Sequence, residues 1–409
     1  MASQRVQVTI NAFFGDNEIE LPFPDHWQVE ECRMAGHGHP ALTDDQIRAA
    51  LSKPCGSPPL RELARGKQEA CILFDDLPKP TQTSRIVPFV IEELHAGGIT
   101  DEQIRFLCAP GTHKPLIYAE FAAKLGPDIV EKYMVYNHSV WENVAYKGKT
   151  SRGTPVYVNR EFDSCDLRLA IGSIFPHGSA GFGGGGKIIL PGIAGIETIE
   201  YHHKNMRINA ALARIEDNVF RLDIEEAARL AGLMFKIDLV LNEKREAVGL
   251  FCGDLVEEHR KGVELARQVY STVTAKDADI VVANTYPDEG QMGRAHWVVP
   301  VSLKEGGDAV VLTHFHEGQN LHQFLSRFGT DYGGRGYTPG GRYPRLAKAG
   351  RVILMAPFLS KYDRAEAGPP EKVVWCKDWG QVLAELTSRH GPGTRVAVYP
   401  YAPLQIPAS

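Results

Sequence analysis

Residues 70–126 read ACILFDDLPKPTQTSRIVPFVIEELHAGGITDEQIRFLCAPGTHKPLIYAEFAAKLG. Residues 70–74 (ACILF) are a short continuous apolar run, the mark of a strand covered on both faces, and the run ends at Asp75-Asp76. Residues 84–96 carry helical periodicity, with Pro88 placed in the first turns, where its missing N–H costs least. Residues 104–109 (IRFLCA) are a second strand, running into Pro110-Gly111-Thr112-His113, and PLIYAEFAAKLG then forms an amphipathic helix. Strand, polar loop, helix and strand in this order predict an α/β fold with a mostly parallel sheet covered by helices. Ligands of such sheets gather beyond the carboxyl ends of the strands. The loops after Phe74, Ala109, Ile174 and Thr285 are therefore where chemistry is expected.

Upstream, VQVTI and NEIELPF form a candidate hairpin in a β-rich entry of about fifty residues. Downstream, a strand at 167–174 runs into FPHGSAGFGGGGKIILPGIAGIETIEYHHKN, and a helical stretch covers 255–270. A second α/β set follows: DIVVANT, DAVVLTHF, RVILMAP, KVVWC, the helix WGQVLAELTSRHG and the strand RVAVYPY. The expectation is two α/β domains, residues 1–272 and 273–395, with the active site in the cleft between them and residues 396–409 packing back on the first domain.

A chain of 409 residues has room for two or three domains, and its 43% hydrophobic and 23% charged residues are those of a globular protein. The net charge of −5, from 45 basic and 50 acidic residues, leaves no footprint for nucleic acid. No block of Lys or Arg marks a membrane surface, and no apolar run approaches a membrane span. The N-terminus lacks the apolar core of a signal peptide. Seven cysteines, with no pair in C-x-x-C spacing, read as reduced thiols of a cytoplasmic protein.

The segment GFGGGGK at 181–187 matches G-x-x-x-x-G-K, most of a phosphate-binding P-loop. The alternative function is therefore a nucleotide-binding phosphotransferase. Two features oppose it. Ile188 stands where a Ser or Thr would hold magnesium, and Pro191-Gly192 would disrupt the helix on whose N-terminus a phosphate must rest. Glycine also permits close approach and positive φ, at an entropic cost that makes so dense a run rarely neutral. Phe182 and the apolar KIILPGIAGI argue for a loop held against the protein body, rather than a flexible loop with a solvated lysine. A partly desolvated Lys187 would be nucleophilic and a candidate for covalent attachment.

Among fifteen histidines, four are well placed. His113 and His177 each follow a strand, which puts both on one rim as a candidate acid and base pair. His202 and His203 lie just before or within a helix, and only one is expected to face the site, the other being surface. His314 and His316 are expected on a strand surface. No spacing marks an all-protein metal cage, and no G-x-G-x-x-G that follows a strand and opens a helix marks a dinucleotide site.

In their order and loop contexts, Asp75-Asp76-Leu77-Pro78-Lys79-Pro80, Gly111-Thr112-His113-Lys114-Pro115, Pro176-His177-Gly178-Ser179-Ala180-Gly181-Phe182, Gly186-Lys187, Pro191-Gly192 and His203 resemble the lactate racemase family. The similarity covers most of residues 70–205. It implies an enzyme that inverts the hydroxyl-bearing carbon of a 2-hydroxy acid, with a nickel-pincer nucleotide linked as a thioamide to Lys187 and His203 as the protein's ligand to nickel. Imidazole and sulfur donors suit Ni(II). It implies a hydride relay in which His113 and His177 exchange the hydroxyl proton while a planar 2-keto acid forms. It places Asp76, Lys79 and Gly186 at the cofactor, with Lys79 replacing the arginine of the family's D-x-x-R motif, which keeps the charge but loses the bidentate fork. For the substrate it implies either Gln291 with Arg294, or, in an ungapped alignment, Arg294 with Trp297. Tyr286, His296 and Trp297 suggest a pocket for a longer, aromatic or polyhydroxylated 2-hydroxy acid. Cofactor maturation enzymes are implied partners, and a homo-oligomer is possible. A non-catalytic homologue is disfavoured, because His113, His177, Lys187 and His203 are all present.

Overall fold

The structure is a computed structural model that describes residues 4–315, 346–359 and 370–408. Its contacts divide the chain into two units, Gly38–Val269 and Met1–His37 with Tyr270–Ser409.

The unit Gly38–Val269 is built on a six-stranded sheet in the order Ala247–Gly253, Phe235–Leu241, Leu167–Ser173, Ala70–Asp75, Ile104–Ala109, Met134–Asn137. Every neighbour is parallel except Ala247–Gly253, which runs antiparallel to Phe235–Leu241. Every residue of Ala70–Asp75 is buried, as the unbroken apolar run requires of a central strand covered on both faces. The helix Val87–Ala96 follows it with Pro88 in the first turn, and Tyr118–Leu125 follows Ile104–Ala109. Ala70–Asp75 lies between Ile104–Ala109 and Leu167–Ser173. The loops leaving those two flanking strands are thus two strand spacings apart, roughly 10 Å at strand level.

The other unit holds a second six-stranded sheet, entirely parallel, in the order Val373–Cys376, Arg351–Met355, Leu303–Leu312, Ala278–Asn284, Arg395–Tyr399, Gln28–Glu31. The hairpin Gln4–Ile10 and Asn17–Phe23 forms, and it covers this sheet. Val8, Leu21 and Phe23 share a core with Val282, Val310, Val398 and Trp379. The Trp379 indole N–H donates to the Pro22 carbonyl at 2.9 Å.

The division differs from the expected one. Residues 1–37 join the second half of the chain, because Gln28–Glu31 adds a parallel edge to Arg395–Tyr399 and the hairpin supplies the cover for its core. The last residues stay in that same unit: Ile406 and Pro407 pair with Ser271 and Thr272, and buried Gln405 donates to the Cys32 carbonyl at 2.7 Å. All seven cysteines are free thiols. Among the described residues no helix is long and apolar enough to cross a membrane.

Candidate active site

The turn after Ala70–Asp75 carries two aspartates with separate tasks. Asp75 accepts from Thr81 Oγ1 at 2.5 Å and lies 2.7 Å from Nζ of the fully buried Lys124. Lys124 Nζ also donates to the Lys79 carbonyl at 2.9 Å, which pins the turn from below. Asp76 points to the next strand's loop, where its Oδ2 lies 2.5 Å from His113 Nδ1. Burial opposes ionisation of Asp76, but the charges of His113 and Lys79, the His113 hydrogen bond and the Lys124 charge together hold its carboxyl well below the usual range. The same contact holds the Nδ1 proton when His113 is neutral, and the neutral ring then turns its Nε2 lone pair outward, the orientation of a general base. Lys79 Nζ is buried, 4.0 Å from Asp76 Oδ1, and has no hydrogen-bond partner among the described residues.

His177 is held in the opposite sense. It pairs with Gly181 in the short antiparallel bridge Pro176–His177 to Gly181–Phe182. Its Nδ1 accepts the backbone N–H groups of Ser179 and Ala180, both at 3.1 Å. That fixes a neutral ring with its proton on Nε2.

The glycine segment is not a P-loop. Gly185–Ile188 is a single 3₁₀ turn, so no α-helix presents an N-terminus to a phosphate. Its glycines are needed by the protein itself. A Cβ on Gly183 would stand 2.8 Å from the Phe175 ring, one on Gly184 2.6 Å from Asp238, and one on Gly186 3.0 Å from Ala228 and the Ile224 carbonyl. The close approach at Gly186 is therefore to the helix Val219–Leu230. Lys187 is half-buried on this turn. The Gly192 N–H donates to the Lys187 carbonyl at 3.3 Å, and the Gly192 carbonyl accepts the Gly111 N–H at 2.9 Å. The segment after Lys187 is thereby joined to the loop of His113.

His203 lies in the helix Ile196–Asn205, and its Nδ1 lies 2.9 Å from the Ile199 carbonyl. Burial first, then the charges of His202, Lys187 and Arg207, push its pKa well down. The neutral ring donates through Nδ1 and carries its lone pair on Nε2. His202, expected at the surface, is instead fully buried, with Nε2 3.0 Å from the Phe220 carbonyl and its ring against the Phe220 ring. The helix turns both imidazoles toward Phe220, and burial lowers the His202 pKa to about 3. Both histidines feel the Lys187 charge.

Gln291, Arg294 and Trp297 belong to the other unit, on the 3₁₀ segment Met292–Trp297 and the residue before it. Arg294 Nε donates to Gln291 Oε1 at 3.0 Å and lies 2.7 Å from Oδ2 of buried Asp288. Trp297 is a core residue: it is buried and its indole N–H donates to the Ala402 carbonyl at 2.8 Å. Tyr286 is likewise buried, with its hydroxyl on Asp16 at 2.8 Å. His296 is buried as well. His314 lies just beyond the strand Leu303–Leu312, edge-on to Phe358, and His316 lies outside the described residues. Among the described residues no group of three or more His, Cys, Asp or Glu could hold a metal ion.

The sequence reading missed Arg221, Asp238 and His259, all buried beneath the glycine segment. Asp238 was legible as a charge inside the apolar run FKIDLVL; Arg221 and His259 lie on ordinary amphipathic helices and gave no signal.

The fold and the rim define an α/β protein with an aspartate-paired histidine, a second histidine of opposite tautomer and a lysine on a braced glycine turn. The lactate racemase N-terminal domain family matches residues 14–214. A lactate racemase of Lactiplantibacillus plantarum is 33% identical over 327 residues, spanning 75% of this chain and 77% of its own. One of Thermoanaerobacterium thermosaccharolyticum is 30% identical over 327 residues, spanning 77% and 76%. The apoprotein structure of a lactate racemase from Thermoanaerobacterium thermosaccharolyticum has the same fold, with a TM-score of 0.74, 23% identity and 99% and 100% coverage. A crystal structure of a Thermotoga maritima protein does too, at 0.67, 19% identity and 90% and 99% coverage. The chain belongs to the lactate racemase family.

Proposed function

We propose that this chain is a racemase or epimerase that inverts the carbon bearing the hydroxyl of a 2-hydroxy acid. The observation that carries the reading is the Asp76–His113 pair, a base with its tautomer set by a buried carboxylate, on the same sheet rim as His177.

The residues present suit a nickel-pincer nucleotide. His203 donates Nδ1–H to a carbonyl, the arrangement that orients Nε2 as a metal ligand. Buried Lys79 Nζ has no hydrogen-bond partner among the described residues and would receive an anionic group of the nucleotide, with Asp76 beside it. Lys187 would carry the covalent link. When bound, the group supplies the hydride-accepting and hydride-returning centre.

The chain's own work is to move and place protons. His113 Nε2 takes the hydroxyl proton of one enantiomer, and Asp76 stabilises the imidazolium that results. His177 in its neutral form donates a hydrogen bond through Nε2. It becomes a proton donor only when Nδ1 gains a proton and parts from the Ser179 and Ala180 amides. In the other unit, Gln291 and Asp288 set the orientation of Arg294, whose guanidinium suits a carboxylate of the class a 2-hydroxy acid carries.

The test is to co-produce the chain with the cofactor maturation enzymes and nickel, beside a lactate racemase as loading control. Two readouts follow: the mass of the Lys187 peptide, and the inversion of single-enantiomer 2-hydroxy acids that are small, aromatic or polyhydroxylated. An adduct on Lys187 and loss of optical purity for at least one acid are expected. Lys187→Ala should remove both while the protein stays folded. A loaded control beside an unmodified Lys187 and unchanged substrates would sink the reading.

A further inference from the structure

A run of glycines cannot hold a lysine still, because each has more backbone freedom than any other residue. Here the freedom is removed from beneath. Arg221, fully buried in the helix Val219–Leu230, turns its guanidinium onto the loop backbone. Nε donates to the Ala180 carbonyl at 3.3 Å, Nη1 to Gly184 at 3.0 Å, and Nη2 to Phe182 and, at 3.3 Å, to Gly183. Arg221 makes no ion pair closer than 4.0 Å with a carboxylate among the described residues. These carbonyls take up its hydrogen bonds, and the more distant charges of Glu225, Asp238 and Glu258 favour its cation against burial. Two neighbours complete the brace. The Gly183 carbonyl also lies 2.8 Å from Nε2 of buried His259, and the Gly185 N–H donates to Oδ2 of buried Asp238 at 2.5 Å. Asp238 is itself tied to Lys236 through Oδ1 at 2.6 Å.

The brace reaches Lys187 through one atom. The Gly184 oxygen that accepts Arg221 Nη1 also accepts the Lys187 N–H at 3.3 Å. At the other end, Asn218, which caps the helix of Arg221, donates to the Ser179 carbonyl at 2.7 Å. The His177 turn and the Lys187 turn are thus fastened to one helix.

We infer that Arg221 is a positioning residue for Lys187: by gathering the carbonyls of Ala180, Phe182, Gly183 and Gly184 on one planar cation, it fixes the turn that presents the lysine for covalent attachment. This rests on the proposed role of Lys187 and deepens it. A lysine at 221 would keep the charge but offer one compact head in place of the fork.

The experiment compares wild type, Arg221→Lys and Arg221→Met, each first without cofactor. Lys187 is labelled competitively with acetic anhydride across pH, with exposed Lys53 as internal reference, and amide exchange is followed by peptide. Arg221→Met should change the Lys187 labelling profile and raise exchange at 182–187 at least about tenfold, with Ala70–Asp75 and Ile104–Ala109 unaltered. Arg221→Lys should fall between. After co-production with the maturation enzymes and nickel, the Lys187 adduct should fall at least about tenfold in Arg221→Met. A role in stability alone would lower the melting temperature and leave the Lys187 profile of the folded protein unchanged, which overturns the inference. If Arg221→Met does not fold, an unchanged profile in Arg221→Lys overturns it equally. A changed profile in the variants, with no adduct on wild type, would defeat the cofactor reading and leave the positioning role standing.

Discussion

Asp76 and His113 show how one buried carboxylate makes a histidine directional. Asp76→Asn removes the charge and offers an amide that can pair with either tautomer. In the cofactor-loaded protein its turnover should fall by about 10²–10⁴-fold, with KM and the Lys187 adduct little changed. A turnover within about threefold of wild type would show that the pair does not set the base. The same carboxyl has a consequence for stability. Its pKa is held below the unfolded value, so its contribution is full above the ordinary carboxylate range and is lost as pH falls through and below that range. Thermal melts between pH 7 and pH 3 should show Asp76→Asn losing less stability on acidification than wild type does. His113, His177, Lys187 and His203 were legible as single residues, since each sits in a loop or helix context that a sequence displays. Their tautomers were not, because they depend on Asp76, the Ser179 and Ala180 amides and the Ile199 carbonyl.

The strands and helices that place these loops are fastened at points remote from the chemistry. His138, just beyond the edge strand Met134–Asn137, has Nε2 3.0 Å from the Ala194 carbonyl and accepts from Asn159 at Nδ1. It ties that edge to the segment leading into the helix of His203. Burial lowers its pKa from 6.5 to about 4. The unfolded chain then binds the extra proton between those values. This stability is full above the unfolded value and fades as pH drops toward the folded one, a change of roughly 3 kcal/mol. His138→Gln keeps one donor and one acceptor without a titrating ring, and should flatten the melting temperature between pH 7 and pH 4. An unaltered slope in that variant would place the acid sensitivity elsewhere. Expected strands and helices formed where apolar runs and helical periodicity are local properties. The glycine segment is held against the protein body, as its apolar flanks led one to expect, but the partners that require its glycines were not legible, because Asp238, Ile224 and Ala228 are distant in sequence.

For the molecule as a whole, the assignment of the first 37 residues is the main departure. Trp379 carries much of it, with its indole on the Pro22 carbonyl and its ring edge-on to Phe23 at a centroid distance of 5.2 Å. Trp379→Ala should cost about 3–5 kcal/mol. Hydrogen exchange should locate the loss in the hairpin and in Ala278–Asn284 and Arg395–Tyr399, with Ala70–Asp75 still protected. Loss spread evenly over both sheets would contradict the division into these units.

The sequence by itself determined the α/β character, the order of strands and helices along the chain, and the residue types at the rim. These follow from local patterning and from loop motifs read in order. Only the tertiary structure decided the order of strands within each sheet, the unit that residues 1–37 join, the protonation sense of each histidine and the bracing of the glycine turn by Arg221, His259 and Asp238. Each of those is a pairing between distant segments. Chain patterning states that a group must be buried or satisfied; which partner satisfies it is settled when the sheets assemble.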